Sequence, residues 1–167
     1  MRFIDEVRIH VRSGTGGDGC SAFRREAYVP FGGPNGGDGG RGGDVILVAT
    51  KNRNTLLDLR RRPVWEAESG NHGKGSQRTG ACGDALRILV PVGTRLVNHD
   101  TGEVLGDLTT EGMEQIVAVG GRGGLGNVHF KSSRDRAPTR RTLGGEAEEV
   151  HLRLELMLMA DVGLLGF

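Results

Sequence analysis

The sequence predicts a mainly β fold, because short apolar stretches alternate with glycine- and proline-rich stretches along its 167 residues. Within several of these stretches apolar and polar residues alternate, which is typical of strands with one buried face. Only residues 54–62 have a pattern that fits a turn or two of helix. About seven short strands punctuated by glycine and proline indicate a β-sandwich or a β-barrel.

The first predicted strand shows the pattern most clearly. Val7, Ile9 and Val11 alternate with polar or charged residues, so that one face of the strand is apolar. Residues 95–98 and 104–105 are separated by a turn that ends at Gly102, which predicts a hairpin. In chain order, the remaining predicted strands cover residues 45–49, 86–91, 116–119 and 150–156.

Glycine is the outlier in the composition. The chain contains 30 glycines, between two and three times the ordinary frequency of roughly 7%. Three consecutive Gly-Gly-X triplets begin at Gly36, within the block at 32–43. A three-residue period matches the polyproline-II helix, in which glycine leaves an edge bare and lets neighbouring segments approach. The glycine-rich blocks cover residues 14–19, 32–43, 70–83 and 120–126.

Flexible linkers are the alternative interpretation of such blocks. Two features favour packed extended segments instead. The blocks alternate with predicted strands rather than lying at one end of the chain, and they are not enriched in serine, glutamine or glutamate. The sequence therefore predicts stiff glycine-rich segments between the strands.

Basic residues are concentrated on the glycine-rich loops, although the net charge is only +1. Arginine and lysine on loops can reach phosphates, and each neutralised phosphate adds salt-dependent affinity. The alternative is a charged surface that keeps the protein in solution. Aromatic residues for base stacking are scarce here apart from Phe31 and Phe130, so structured RNA fits better than single strands. The candidate RNA-binding residues are Arg24, Arg25, Lys74, Arg78, Arg122, Lys131, Arg134, Arg136, Arg140 and Arg141.

The sequence contains no convincing catalytic or metal-binding pattern. Residues 14–19 and 121–126 both match GxGxxG, yet neither is followed by the helix that a dinucleotide site requires. No complete GxxxxGK[ST] loop is present, and the histidines lack the spacing of a metal site. We therefore predict no catalytic residue and no metal ligand in this chain.

The sequence also bears on where the protein acts. The N-terminus carries charges where a signal peptide needs apolar residues. No apolar run is long enough to predict a membrane span. Cys20 and Cys82 lack a paired pattern and are expected to be reduced thiols. These features predict a cytoplasmic protein.

The C-terminal end differs from the rest of the chain. From Leu156 the alternation gives way to a continuous apolar run as far as Ala160. Such runs are typical of strands that are buried on both faces, as in α/β domains. The sequence therefore predicts one domain at residues 1–157 and the first strand of a second domain at residues 158–167.

Eight stretches of the chain, taken together, carry a family resemblance: 23–26, 29–30, 32–44, 54–57, 90–94, 120–127, 130–133 and 156–166. The glycine block 32–44 and the end at Gly166 are the most specific of them. Together these stretches resemble the Obg family of GTPases, which assemble the large ribosomal subunit. The resemblance implies an Obg fold, in which glycine-rich, polyproline-II-like helices project from a small β-barrel and bind ribosomal RNA.

The resemblance also implies a GTPase (G) domain after these residues. Gly166 would be the first glycine of its P-loop, and GTP or GDP with Mg²⁺ would bind beyond Phe167. The chain itself would hold no cofactor and would neither bind nor hydrolyse GTP. The implied partners are the large ribosomal subunit, its RNA and regulatory proteins. The implied role is that of a monomer in late subunit assembly and in stress and growth control.

Two other functions stay open on the sequence. One is a platform that binds a regulatory protein instead of RNA. The other is an independent nucleotide-binding enzyme that uses the GxGxxG turns. The chain also departs from similar proteins, which usually have lysine in place of Ala27 and Phe31 and which differ at residues 73–78. These departures bear on which bases contact RNA, but not on the fold.

Overall fold

The structure, a computed structural model, describes residues 3–24 and 32–157. These residues form a mainly β protein, as the sequence predicts. The α-helix α1 spans Leu57–Arg61, and a short 3₁₀ helix spans Asn127–Phe130. The strands are β1 (Phe3–Arg12), β2 (Val45–Thr50), β3 (Val64–Glu66), β4 (Leu86–Pro91), β5 (Thr94–Asn98), β6 (Val104–Leu108), β7 (Glu114–Ala118) and β8 (Glu149–Met157).

The strands form two mixed sheets. The larger sheet has the order β3-β1-β8-β5-β6, and the smaller one has the order β4-β2-β7. Neither sheet closes on itself, so the small β-barrel implied by the family resemblance is wrong for the described residues. One edge of the larger sheet is β3, which is only three residues long. Pro63, immediately before it, has no N–H with which to continue a ladder.

The core lies between the two sheets and is built by the alternation seen in the sequence. Val7, Ile9 and Val11 of β1 are buried. Across the antiparallel pair β1–β8, Val7 faces Leu154 and Ile9 faces Leu152. Burying an aliphatic side chain stabilises the fold by about 1.5–3 kcal/mol, so this inward face is what holds β1 and β8 in register.

The predicted elements are found where the sequence places them, with two differences. Strand β3 was not predicted, because three residues with one half-buried Trp65 are too few to show an alternation. The 3₁₀ helix at Asn127–Phe130 was also not predicted. Leu156 and Met157 belong to β8, which pairs antiparallel with β1. The predicted second-domain segment 158–167 lies outside the described residues.

Six extended segments connect the strands, and together they are called the glycine array here. Three of them lead away from the ends of β1, β3 and β7, and three return to β2, β4 and β8. Each outward segment is linked to its returning neighbour at the far end. The described parts of these three links are called the three turns here, and they comprise residues 20–24 with 32–35, residues 74–78 and residues 127–141. The six segments comprise residues 14–20, 36–43, 68–74, 78–84, 120–127 and 142–146.

The central segment of the array, 14–20, bonds backbone to backbone with its neighbours. The N–H groups of Gly14, Gly17 and Cys20 donate to the carbonyls of Gly43, Gly40 and Gly37 at 2.8–2.9 Å. The carbonyls of the same three residues accept N–H groups from segment 120–127. Hydrogen bonds at every third residue show that these segments pack against one another, so they are not flexible linkers.

Glycine is required in the array by close approach of neighbouring backbones. A Cβ atom on Gly39 would lie nearer than 3.0 Å to the backbone carbonyl of Gly17, a distance that real Cβ atoms essentially never show. The same holds for Gly14 against Glu68. Neither glycine has a positive φ, so the missing side chain matters here and the conformational freedom of glycine does not.

Candidate nucleic-acid interface

The three turns that link outward and returning segments lie together at the end of the array farthest from the sheets. The carbonyl of Ala22 accepts the N–H of Asn35 at 2.9 Å, and the carbonyl of Asn35 in turn accepts the N–H of Gln77 at 2.6 Å. The third turn joins through Asn127, whose side chain donates to the same Ala22 carbonyl. We call this end the tip, and it comprises residues 20–24, 32–35, 74–78 and 127–141.

Asn127 is the polar residue that holds the tip together. Its side chain is fully buried. Oδ1 accepts the N–H of Gly36 at 2.8 Å, while Nδ2 donates to the carbonyls of Ala22 at 2.9 Å and Pro138 at 3.0 Å. Three of the four hydrogen-bonding positions of the amide are therefore used, and one acceptor position of Oδ1 is not. Asn127 was not predicted from the sequence, because its partners Gly36 and Ala22 are distant along the chain.

The tip is strongly basic. Eight of its residues are lysine or arginine, and Asp135 is its one acid. All eight basic side chains are exposed. They come from all three turns, so the fold brings together bases that the sequence separates. The eight residues are Arg24, Lys74, Arg78, Lys131, Arg134, Arg136, Arg140 and Arg141.

Of the predicted RNA-binding residues that the structure describes, Arg122 does not join this cluster. Arg122 lies within segment 120–127, between the tip and the sheets, and its carbonyl accepts the N–H of Gly145 at 2.7 Å. Its side chain borders a separate shallow groove. Arg25 lies outside the described residues, as do Ala27, Phe31 and Gly166. The structure thus gathers eight of the candidates and sets Arg122 apart.

Several of the clustered bases are held in place by neutral partners. The guanidinium of Arg140 lies over the ring of Phe130, 4.6 Å from its centroid. Arg141 donates to the carbonyl of Gly19 at 3.0 Å, and Arg78 donates to that of Gly75 at the same distance. None of these contacts neutralises the charge, so the cations stay available to an anionic ligand.

Lys74 and Arg78 are held side by side by an unusual turn. The N–H of Lys74 donates to the carbonyl of Arg78 at 2.9 Å. Between them, Ser76 and Gln77 have φ values of 60° and 56°. They are the two non-glycine residues with positive φ in the described part of the chain. Two consecutive positive φ values form a tight hairpin turn with a backbone that side-chain-bearing residues rarely adopt.

The opposite end of the array, next to the sheets, carries acids. The basic residues there are partly neutralised, since Arg12 pairs with Glu149 at 3.0 Å and Arg41 pairs with Asp44 at 2.8 Å. The small net charge therefore conceals two ends of opposite sign. The acids at this end are Asp44, Glu66, Glu68, Asp84, Glu146, Glu148 and Glu149.

Asp44 connects the array to the sheets. Its Oδ1 accepts the N–H of Gly120 at 2.7 Å and a guanidinium hydrogen of Arg41 at 2.8 Å. These interactions favour the carboxylate, and the bond from Gly120 contributes most, so the pKa of Asp44 lies below its ordinary value although burial opposes the shift.

Among residues 3–24 and 32–157, no three histidine, cysteine, aspartate or glutamate side chains are arranged to hold a metal ion. No helix in the same part of the chain is long and apolar enough to span a bilayer. Cys20 and Cys82 are free thiols. The tip itself is a charged, solvent-facing surface.

Comparison with known proteins gives the family. The family model described as GTP1/OBG matches residues 4–158. The chain is 55% identical over 166 residues to the GTPase Obg of Syntrophus aciditrophicus, covering 99% of this chain and 48% of the relative. It is 58% identical to the GTPase Obg of Solibacter usitatus and to that of Acidithiobacillus ferrooxidans, covering 99% of this chain and 49% and 44% of those proteins. The chain thus spans about half the length of the curated relatives it matches, and it belongs to the GTP1/OBG family.

Proposed function

We propose that this chain is the ribosome-docking module of an Obg-type GTPase and that its tip binds ribosomal RNA of the large subunit. The observation that carries the proposal is the convergence of eight exposed bases from three turns on one end of the array. Phosphate backbones are the partners that such a surface fits best. The acidic end next to the sheets would orient the module, because it repels the same phosphates.

The glycine array would serve as a stiff support for these bases. We propose that its six segments are polyproline-II-type helices, the finer form of the predicted fold. Hydrogen bonds at every third residue and the absence of positive φ at the array glycines support this conformation. Amide hydrogen exchange tests stiffness directly. Protection is expected at Gly37, Gly40 and Gly43, whose N–H groups are bonded, and rapid exchange at all three would contradict it.

The catalytic part of the parent protein would lie beyond this chain. The relatives are named as GTPases and are about twice as long. We propose that Gly166 is the first P-loop glycine, and that GTP or GDP with Mg²⁺ binds after it. This chain would then contain no catalytic residue. The nucleotide state of the G domain would govern docking and release in the cytoplasm during late subunit assembly, and in stress and growth control.

Co-sedimentation with large ribosomal subunits tests the docking proposal. If about six phosphates are contacted, log K should fall against log salt with a slope of about −4 to −5. Reversing Arg134 and Arg136 to glutamate should weaken binding and reduce the slope by about 1 for each phosphate that is no longer bound. The matched control, Arg8→Glu with Arg61→Glu, changes charge equally but away from the tip. A flat salt titration, or equal effects of the two variants, would refute docking through the tip.

A protein-interaction platform is the second candidate. A groove of about 340 Å³ lies between segments 120–127 and 142–146. It is lined by Leu125 and Leu143, which are 41% and 67% exposed, and by Arg122. Exposed leucines of this kind are typical of protein contacts. Ribonuclease treatment separates the candidates, because a complex with a regulatory protein would survive and docking through RNA would not.

A further inference from the structure

A second basic surface lies on the sheets, away from the tip. It surrounds a pocket of about 230 Å³, which we call the arginine pocket. Arg53 from the loop before α1, Arg62 from the end of α1 and Arg87 of β4 border this pocket. Trp65 of β3 and Leu89 of β4 provide apolar surface. Side chains from four parts of the chain thus meet at one cavity.

The three guanidiniums of the arginine pocket differ in what they already contact. That of Arg62 lies over the indole of Trp65, 3.9 Å from the ring centroid. Arg87 pairs with Glu114. Among the described residues, no carboxylate pairs with Arg53 or Arg62. Two charges at the rim are therefore available, and Asp58 is the one acid in the lining.

The chemistry of the pocket matches a single nucleotide. Indole and guanidinium planes are surfaces on which unpaired bases stack, and free guanidiniums bind phosphate with two parallel hydrogen bonds. Lys51 lies close in sequence to Arg53 and adds a further positive charge. A small pocket bounded on several sides suits one flat ring better than an extended acidic peptide.

We propose that the arginine pocket binds an unpaired nucleotide of RNA. The base lies against Leu89 and against the guanidinium of Arg62, which is stacked on Trp65. Its phosphate contacts Arg53. This inference rests on the proposed function, because it makes the sheets a second contact for the RNA that the tip engages. Two linked contacts bind more tightly than either alone when one RNA can span both. The tip would recognise the shape and the phosphate backbone of the RNA, whereas the pocket would bind one base that is not stacked on its neighbours.

The pocket has a built-in reporter, because Trp65 is the single tryptophan of the chain. Titration with a short single-stranded oligouridylate at low salt should change the fluorescence of Trp65. The substitution Arg53→Glu should lower the affinity measured by this response at least about tenfold, because attraction to a phosphate becomes repulsion. Arg61→Glu is the matched control, since Arg61 makes the same charge change but does not line the pocket. Its response should stay near that of the wild type.

The outcomes separate this proposal from docking through the tip. Arg134→Glu with Arg136→Glu should weaken subunit binding yet keep the Trp65 response. If the wild type shows the Trp65 fluorescence response but does not bind large subunits, the docking proposal is wrong and the proposal for the arginine pocket is retained. No response at saturating oligouridylate would overturn the pocket alone. So would equal affinities of Arg53→Glu and Arg61→Glu, or a response to poly-glutamate instead. Circular dichroism of each variant, with Arg53→Ala as a milder second change, verifies folding.

Discussion

The two sheets and the glycine array are held together in opposite ways. In the sheets, Leu154 and its neighbours exclude water with their side chains, and the backbone ladders follow. In the array, Gly17 and Gly39 have no side chains to bury, and the backbones touch directly. The sheets therefore depend on the volume of their buried side chains, whereas the array depends on glycine having no side chain. This difference predicts opposite tolerances to substitution in the two regions.

The largest effect is expected from adding a single methyl group to the array. In Gly39→Ala the new Cβ would collide with the backbone carbonyl of Gly17, which the hydrogen-bonded array does not allow to move away. We expect a loss of more than about 4 kcal/mol in the free energy of unfolding, which would prevent stable folding of a marginally stable domain. Urea denaturation followed by circular dichroism measures it.

Gly75→Ala is the matched control within the glycine-rich part. Its Cβ would meet only the Cβ of Ala22, at an ordinary contact distance of 3.6 Å, and Gly75 has no positive φ. The change should be neutral, or should stabilise by up to about 1 kcal/mol through a less flexible unfolded chain. Equal destabilisation by the two variants would mean that close backbone packing does not explain the glycines of the array.

A core truncation in the sheets comes next in size. Leu154 is fully buried and lies between Val7 on β1 and Leu96 on β5. Leu154→Ala should cost about 3 kcal/mol through reduced burial and the cavity that remains. Leu154→Met, which conserves volume, should cost less than about 1.5 kcal/mol. Urea denaturation of both variants measures how well the sheets tolerate a substitution that conserves volume. At Gly39 of the array, by contrast, no larger residue should be tolerated. A methionine variant as unstable as the alanine variant would contradict it.

A third prediction concerns the polar centre of the tip. Asn127→Ala removes the partner of the Gly36 N–H and of the carbonyls of Ala22 and Pro138. Leaving such groups unpaired in a buried site should cost about 2–3 kcal/mol in unfolding free energy. Subunit binding by the folded fraction should also weaken, because the turns that carry the bases would lose their common anchor. Asn52→Ala, at an exposed position, should change stability by less than about 0.5 kcal/mol.

The contrast between the sheets and the array also explains which parts of the fold could be predicted from the sequence. The strands were predictable because Val7, Ile9 and Val11 mark an inward face by alternation alone. Strand β3 was not predictable because its three residues contain no full alternation. The open edges of the two sheets could not be derived either, since closure depends on pairings between strands that are distant in sequence.

For the array and the tip, local sequence gives composition but not partners. The Gly-Gly-X triplets predicted packed extended segments, yet nothing near Gly14 indicates that it bonds to Gly43. The bases of the tip were recognised individually from their loops. Their convergence, the separation of Arg122 and the anchoring role of Asn127 all depend on how the three turns meet, which is a long-range property of the fold.

The smallest predicted effect lies at the junction of the two regions. Asp44→Asn keeps an oxygen that can accept the N–H of Gly120 but removes the charge that pairs with Arg41. We expect a loss of about 1 kcal/mol in unfolding free energy at neutral pH. The pKa of Asp44 is lowered in the folded protein from the ordinary value of 3.8, so the carboxylate stabilises the fold above that pH. This contribution is lost as the pH falls through 3.8 towards the folded-state pKa.

The difference in stability between the wild type and Asp44→Asn should therefore be constant at neutral and mildly acidic pH and should shrink only in strong acid. Urea denaturation across this pH range measures the difference. A matched substitution, Asp100→Asn, alters an exposed carboxylate that pairs with His151 on the sheets and touches no array segment. A difference for Asp44→Asn that stays the same at every pH would show that the charge of Asp44 does not join the array to the sheets. The junction would then depend on neutral backbone bonding alone, as the interior of the array does.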